Sequence, residues 1–204
     1  MLFYNFTPAQ LAGIVVALVI GITFHEFSHA FIADQLGDRR PRALGRVSLN
    51  PGRHIDPIGA LVFAIAGFGW GRPVPVNVYA LRPGRVGMAM VAAGGPIANV
   101  LVAIAAAAVY RAMDVSGVGG LALEVTWWIV LYNLLLAIFN LIPIPPLDGY
   151  NALLSFIPPP NAFVIERYAP YGIILLLLLV VLPGSPLQYI IGFAEPLTRA
   201  LTGA

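Results

Sequence analysis

Four stretches of this chain, roughly residues 8 to 33, 87 to 112, 121 to 142 and 169 to 183, contain only Glu26, Arg111 and Glu124 as charged side chains. The first three are each close to the twenty or so residues that cross a hydrocarbon core, and the fourth is short. Lipid offers a backbone no hydrogen-bond partner, so such segments must satisfy their N–H and C=O groups internally, as helices do. Composition agrees: 59% of the 204 residues are hydrophobic and 10% are charged, the balance of a polytopic membrane protein. The expected fold is therefore all-α, with about four to five transmembrane helices. The fifth candidate is 186 to 204, which mixes apolar residues with Glu195 and Arg199 and reads as an interfacial or partly re-entrant helix.

The length predicts one domain over 1 to 204, with no room for a separately folded polar module. Residues 1 to 10 carry no basic group and the apolar run after them is longer than a signal-peptide core, so the first segment reads as a retained helix. There is no cysteine, which excludes disulfides, a thiolate nucleophile and zinc–thiolate sites. All 11 basic residues are arginine. Eight of them (Arg39, Arg40, Arg42, Arg46, Arg53, Arg72, Arg82 and Arg85) lie between the first two long apolar segments. The positive-inside rule places that region in the cytoplasm and both chain ends outside. The cluster itself reads as a topology signal and an anchor on anionic lipid, worth about 1 kcal/mol per residue near a charged leaflet; it does not read as a nucleic-acid site.

Within the first segment stands His25-Glu26-Phe27-Ser28-His29. Ionisable groups at membrane depth mark function. Four residues apart on a helix, His25 and His29 share a face about 6 Å apart along the axis and can share a tetrahedral metal. Glu26 projects about 100° away, as a base beside the metal would rather than as a third ligand. On the topology above, both histidines lie toward the cytoplasmic end of the first helix, and the third helix delivers its C-terminal end to the same side. There the chain reads Asn140-Leu141-Ile142-Pro143-Ile144-Pro145-Pro146-Leu147-Asp148-Gly149, where three prolines forbid a regular helix. Asp148 fits two roles: a carboxylate completing a two-histidine zinc site with the fourth position left for water, or the cap of a short helix from Tyr150 to Ile157.

These motifs, with Gly95-Pro96-Ile97-Ala98-Asn99 between them, resemble the site-2 protease family of intramembrane zinc metalloproteases. The sequence HEFSH fits the family's H-E-x-x-H, PPLDG fits its N/P-x-D-G signature and GPIAN its G-P-x-x-N, in the family's order. Leu49-Asn50-Pro51 through His54-Ile55-Asp56-Pro57, and Gly69 through Asn77, are similar to stretches of small prokaryotic members. The resemblance covers about residues 10 to 160. It implies zinc held by His25, His29 and Asp148, with Glu26 as general base. It further implies an integral, multi-pass protein of the prokaryotic inner membrane with its active site toward the cytoplasm. The implied substrate is a single-pass membrane protein already trimmed by another protease. The sequence names no regulatory partner or homo-oligomeric state.

Water must reach such a site, and a helical substrate must unwind in it. The segment from Gly59 to Tyr79 suits both needs: its apolar part is too short to span, and Pro73-Val74-Pro75-Val76 favours extended chain. It is expected to form a small re-entrant extended or β-hairpin element, either one that holds substrate by strand addition, with the prolines limiting the pairing, or a loop that merely plugs the bundle. Asn77 lies at its end as a candidate substrate contact. Asn140 is a candidate for binding substrate backbone or oxyanion, or for tying helices together, the role expected of Asn133. Asn99, after a Gly-Gly-Pro kink, is a structural or site-supporting candidate. His54 is either a partner or gate of the site or a loop-fastening histidine, and Asp56 either a turn cap or an arginine partner. The competing functional classes are a non-catalytic membrane scaffold and a metal or proton transporter; no internal inverted repeat supports the latter.

Overall fold

The computed structural model describes residues 6–66, 69–181 and 186–204. Helix α1 (Pro8–Gln35) starts on a capping box: the Thr7 hydroxyl accepts the Gln10 N–H at 3.2 Å, and the Gln10 side chain accepts the Thr7 N–H at 3.0 Å. It ends where Gly37 takes a φ of 119°, a conformation that favours glycine. There follow α2 (Arg40–Ala43), α3 (Pro57–Ala66), α4 (Arg85–Val115), α5 (Leu121–Asn140), α6 (Asp148–Phe156), α7 (Pro159–Glu166), α8 (Gly172–Val181) and α9 (Pro186–Thr202). Three of these, α1, α4 and α5, are long and apolar enough to cross a membrane.

These three helices form the core, α4 running antiparallel to α1 and α5. Close approach comes from small residues, as is usual where lipid supplies no hydrophobic drive between helices. A side chain on Gly13 would strike Trp128, one on Gly21 would strike Leu136, and one on Gly94 would strike Ile32. The Ser28 hydroxyl donates to the Gly94 carbonyl at 2.9 Å. Toward the far end, Ala103 and Ala107 of α4 meet Val130, Leu131 and Leu134 of α5 and Ala194 of α9. Arg111 fastens the end of α9 by donating to the carbonyls of Leu201 and Ala200 at 2.6 and 2.9 Å. At the other end, α8 begins against the loop preceding α6, since a side chain on Gly172 would strike Pro145.

The segment expected to be a hairpin differs. Residues 57 to 66 are helical, because Asp56 caps the turn by accepting the N–H groups of Ile58 and Gly59 at 3.0 and 2.9 Å. This settles Asp56 as a cap. Among the described residues the β pairing consists of one antiparallel bridge, Ile55 to Gly71. The chain from 72 to 77 has no regular secondary structure, and Asn77 at its end is extended.

Two buried aspartates order the arginine-rich end. Asp34 accepts from Arg39 at 3.0 Å and from Arg42 at 2.7 Å. Asp38 accepts from the Arg40 guanidinium at 3.0 Å and from the Asn77 N–H at 2.6 Å, tying the extended segment to the end of α1. Burial pushes the Asp38 carboxyl up, but the Arg40 guanidinium and the N–H groups of Asn77 and Arg40 outweigh it and hold it below the ordinary value. A depressed carboxylate contributes stability that is complete above its unfolded pKa, about 3.9, and that is lost as pH falls through the lowered folded value. Asp38→Ala should therefore speed hydrogen exchange at the Asn77 amide about 10- to 100-fold at pH 7, the worth of a hydrogen bond to a charged acceptor. In the wild-type chain, protection corrected for intrinsic rates should be the same at pH 5 as at pH 7.

Candidate metal centre

His25 and His29 project from one face of α1 about 15 Å and 9 Å before its C-terminal end, and both are buried. Asp148 is the first residue of α6; the position before it, Leu147, makes no side-chain cap. Its carboxylate turns to the imidazoles instead, with Oδ2 at 3.0 Å from His25 Nε2 and 3.2 Å from His29 Nε2. The two Nε2 atoms are 3.1 Å apart. Three potential ligand atoms from two distant parts of the sequence thus converge.

The protons in this cluster are fixed from outside it. Asn133 Nδ2 donates to the Ile129 carbonyl at 2.8 Å, so Asn133 Oδ1 is free to accept from Asn99 Nδ2 at 2.9 Å. Asn99 Nδ2 also donates to the Gly21 carbonyl at 3.0 Å. Its Oδ1 must therefore face His25 Nδ1, 2.7 Å away, and this nitrogen must be the donor. His29 Nδ1 likewise donates to the Val91 carbonyl at 2.7 Å. With both Nδ1 atoms protonated, each neutral imidazole turns an Nε2 lone pair inward, toward a carboxylate oxygen that is buried and makes no hydrogen bond. Three lone pairs that face one another are mutually repulsive unless a cation lies among them. Two imidazoles and one carboxylate are the donor set of a catalytic zinc that keeps a coordination position open, and imidazoles held by a partner on the other nitrogen are the usual outer support of such sites. The residues fit zinc.

Room for the ion is provided by α4. A side chain on Gly95 would lie 2.5 Å from both His25 Cε1 and His29 Nε2. Glu26 lies beside the cluster without joining it. Its Oε2 is 3.8 Å from Arg46 Nη2, and its Oε1 is 3.2 Å from where a side chain on Gly71 would begin.

The remaining candidates fall elsewhere. His54 is fully buried and donates through Nε2 to the Ser48 carbonyl at 2.6 Å, which fastens its loop; burial pulls its imidazole below the ordinary value. Asn140 Nδ2 donates to the Leu136 carbonyl of its own helix at 2.9 Å. Asn77 caps a short turn by accepting the Tyr79 N–H at 3.1 Å. Asn99 is the one of these four that touches a metal-ligand candidate. Two residues read from sequence only as part of a basic loop do site-related work. Arg46 is buried beside Glu26, and Arg85 caps the end of α6 by donating to the carbonyls of Leu154, Ser155 and Ile157. Nothing local in an arginine-rich stretch separates these two from their exposed neighbours.

Comparison with known proteins agrees with the donor set. The chain is 37% identical over 188 residues to the "Putative zinc metalloprotease YwhC" of Bacillus subtilis, a match that covers 89% of this chain and 85% of that protein. It is 27% identical over 194 residues to the "Putative zinc metalloprotease Rip2" of Mycolicibacterium smegmatis, covering 86% of this chain and 71% of the relative. A Rip2 of Mycobacterium tuberculosis matches at 27% over 186 residues. No family model and no solved structure matches.

The amide chain behind His25 predicts that Asn99→Ala weakens zinc binding about 10- to 100-fold, the usual loss on removing a ligand's outer partner. Gly95→Val should abolish binding while the helices remain. Titration of the metal-free protein with zinc, with helicity followed by circular dichroism, checks both.

Proposed function

The chain belongs to the site-2 protease family of zinc metalloproteases, and from that membership we propose that it hydrolyses peptide bonds of membrane-spanning segments inside the bilayer, near its cytoplasmic face. The observation that carries the reading is the convergence of His25 Nε2, His29 Nε2 and Asp148 Oδ2, with Glu26 beside them, within a bundle of three apolar helices. A soluble substrate has no need of a site at that depth.

The active unit is a single domain over 1 to 204, with four to five membrane passages. In support, 172 to 202 starts at Pro145, on the Asp148 side, and ends at Arg111, about 24 Å along α4 from Gly95. Helices α8 and α9 together thus supply a fourth passage. The arginines of 39 to 85 then lie at the cytoplasmic face of a prokaryotic inner membrane, on the same side as the site.

His25, His29 and Asp148 hold the metal, and the amide chain through Asn99 keeps the His25 tautomer that ligation requires. Zinc there supplies a Lewis acid for the scissile carbonyl oxygen and lowers the pKa of water toward neutrality. Glu26 takes the proton from the attacking water at a carboxylate oxygen and returns it to the departing amine. Its rotation off the ligand face is what leaves that carboxylate free for proton transfer. The substrate is a membrane-spanning segment of a single-pass protein, unwound and held as a strand on the extended chain 72–77. The backbone groups of Val74 and Val76 have no partner among the described residues, so they can pair with it. Lipid is the surrounding partner; nucleic acid has no place in the reading.

Glu26→Gln should retain one zinc per chain and lose about 10²- to 10⁴-fold in cleavage of a membrane-spanning substrate, the worth of a positioned general base. Purified protein in lipid nanodiscs, assayed for zinc and for cleavage, is the test. Cleavage undiminished in Glu26→Gln, or full zinc in Asp148→Ala, would contradict these roles.

A further inference from the structure

The paired arginines of the basic loop differ from Arg46 in their surroundings. Arg39, Arg40 and Arg42 reach back to Asp34 and Asp38 with half or more of their side chains in solvent. Arg46 is 6% exposed, and no aspartate neutralises it. Its guanidinium donates to the carbonyls of two consecutive residues: Nη1 to Pro73 at 2.9 Å and Nη2 to Arg72. The same Nη2 faces Glu26 Oε2 at 3.8 Å. Burying a guanidinium at the edge of a membrane bundle is costly, and a surface anchor has no reason to bear that cost.

The segment Arg46 grips is the one that passes over Glu26. Gly71 lies against Glu26 and Ile22 so closely that a side chain there would have its Cβ 3.2 Å from Glu26 Oε1 and 2.9 Å from Ile22 Cγ2. The next residue is held from the other flank, where the Arg72 N–H donates to the His54 carbonyl at 2.6 Å. His54 cannot shift, being buried with its ring on Ser48. Residues 71 to 73 are thus fixed on both flanks, and the unpaired backbone groups begin immediately afterward, at Val74 and Val76. Beyond them the segment is tied again, by the Asn77 N–H on Asp38.

We propose that Arg46 is a positioning residue that sets the register between the substrate strand and the general base. One planar fork grips the backbone on which the substrate pairs, at Arg72 and Pro73, and faces the carboxylate that serves the scissile bond. A strand paired at Val74 and Val76 is thereby held at one fixed offset from Glu26. A lysine ammonium keeps the charge near Glu26, but as a point donor on a flexible stem it does not span two consecutive carbonyls. Arg46 touches neither substrate nor metal and acts through the segment and through Glu26. The inference rests on the proteolytic reading above.

The test uses the full-length zinc-loaded chain in lipid nanodiscs, comparing wild type with Arg46→Lys and Arg46→Met. Zinc stoichiometry should stay at wild type in both variants. KM for a membrane-spanning substrate should rise about tenfold in both, while kcat falls about 100-fold in Arg46→Met and only about threefold in Arg46→Lys, which retains charge near the base. The chain has no cysteine, so Val74→Cys accepts a single nitroxide label that reports on the segment without any cleavage. Its spectrum should show an immobilised label with Arg46 present and a mobile one in both variants. An unchanged KM at full zinc occupancy, a kcat split that ignores the charge, or an equally immobile label in Arg46→Met would overturn the proposal. Loss of zinc from the variants would also overturn it, by making Arg46 a support of the metal site. If wild type binds zinc but cleaves nothing, the proteolytic reading falls, and the label still decides whether Arg46 fixes the segment.

Discussion

Two imidazole lone pairs and a carboxylate oxygen stand 3.0 to 3.2 Å apart in the interior of an apolar helix bundle. Left to themselves they repel. The rest of the arrangement follows from keeping them there. Both histidines are pinned through Nδ1 by acceptors on α4, one a side-chain amide and one a main-chain carbonyl. Asp148 is pinned by an irregular, proline-rich loop and by α6, whose far end Arg85 of α4 caps. Helix α4 touches every ligand either directly or through a partner, and its Gly95 leaves the space at their focus. Zinc binding coupled to folding in small zinc domains is worth on the order of 10 kcal/mol, comparable with the whole stability of a domain. The ion therefore bears on whether α1, α4 and α6 stay together as well as on chemistry.

The same geometry suits the hydrolytic site proposed above for membrane depth. Polar groups within lipid must be partnered, and several here are partnered by one another: Asn133 to Asn99, Asn99 to His25, Ser28 to Gly94. Among the described residues, backbone groups at Val74 and Val76 are left without a partner. In the proposed function, a substrate backbone that leaves its own helix would recover there some of the hydrogen bonds it gives up. Proline at 73 and 75 limits that edge to a few bonds, which also guards it against edge-to-edge aggregation.

The meeting of His25, His29 and Asp148 was legible in the sequence because such groups are expensive where they stand. Histidines four apart in an apolar run have one economical explanation, and topology alone brought the loop with Asp148 to the same side. The three long helices were legible for the same reason: length and apolarity leave little choice. The His25–Asn99–Asn133 relay was only half legible. A polar residue in a membrane helix announces a partner but does not name it, since the partner lies 74 residues away in sequence. The helix at 57 to 66 was missed because ten apolar residues with flanking glycines and prolines suit a re-entrant loop as well as a helix, and the Asp56 cap decides between them. Arg46 was hidden among seven other arginines. Its distinction is burial, which arises only when 71–73 and α1 come together around it.

The central claim is that two Nε2 imidazole nitrogens and the Asp148 carboxylate share one zinc ion. X-ray absorption at the zinc edge, on the full chain in lipid, reads that ligand shell directly. The account predicts two imidazoles with the remaining donors oxygen, and loss of an oxygen donor specific to Asp148→Ala. A shell with one imidazole or none, or a shell unaltered by removing Asp148, would contradict it.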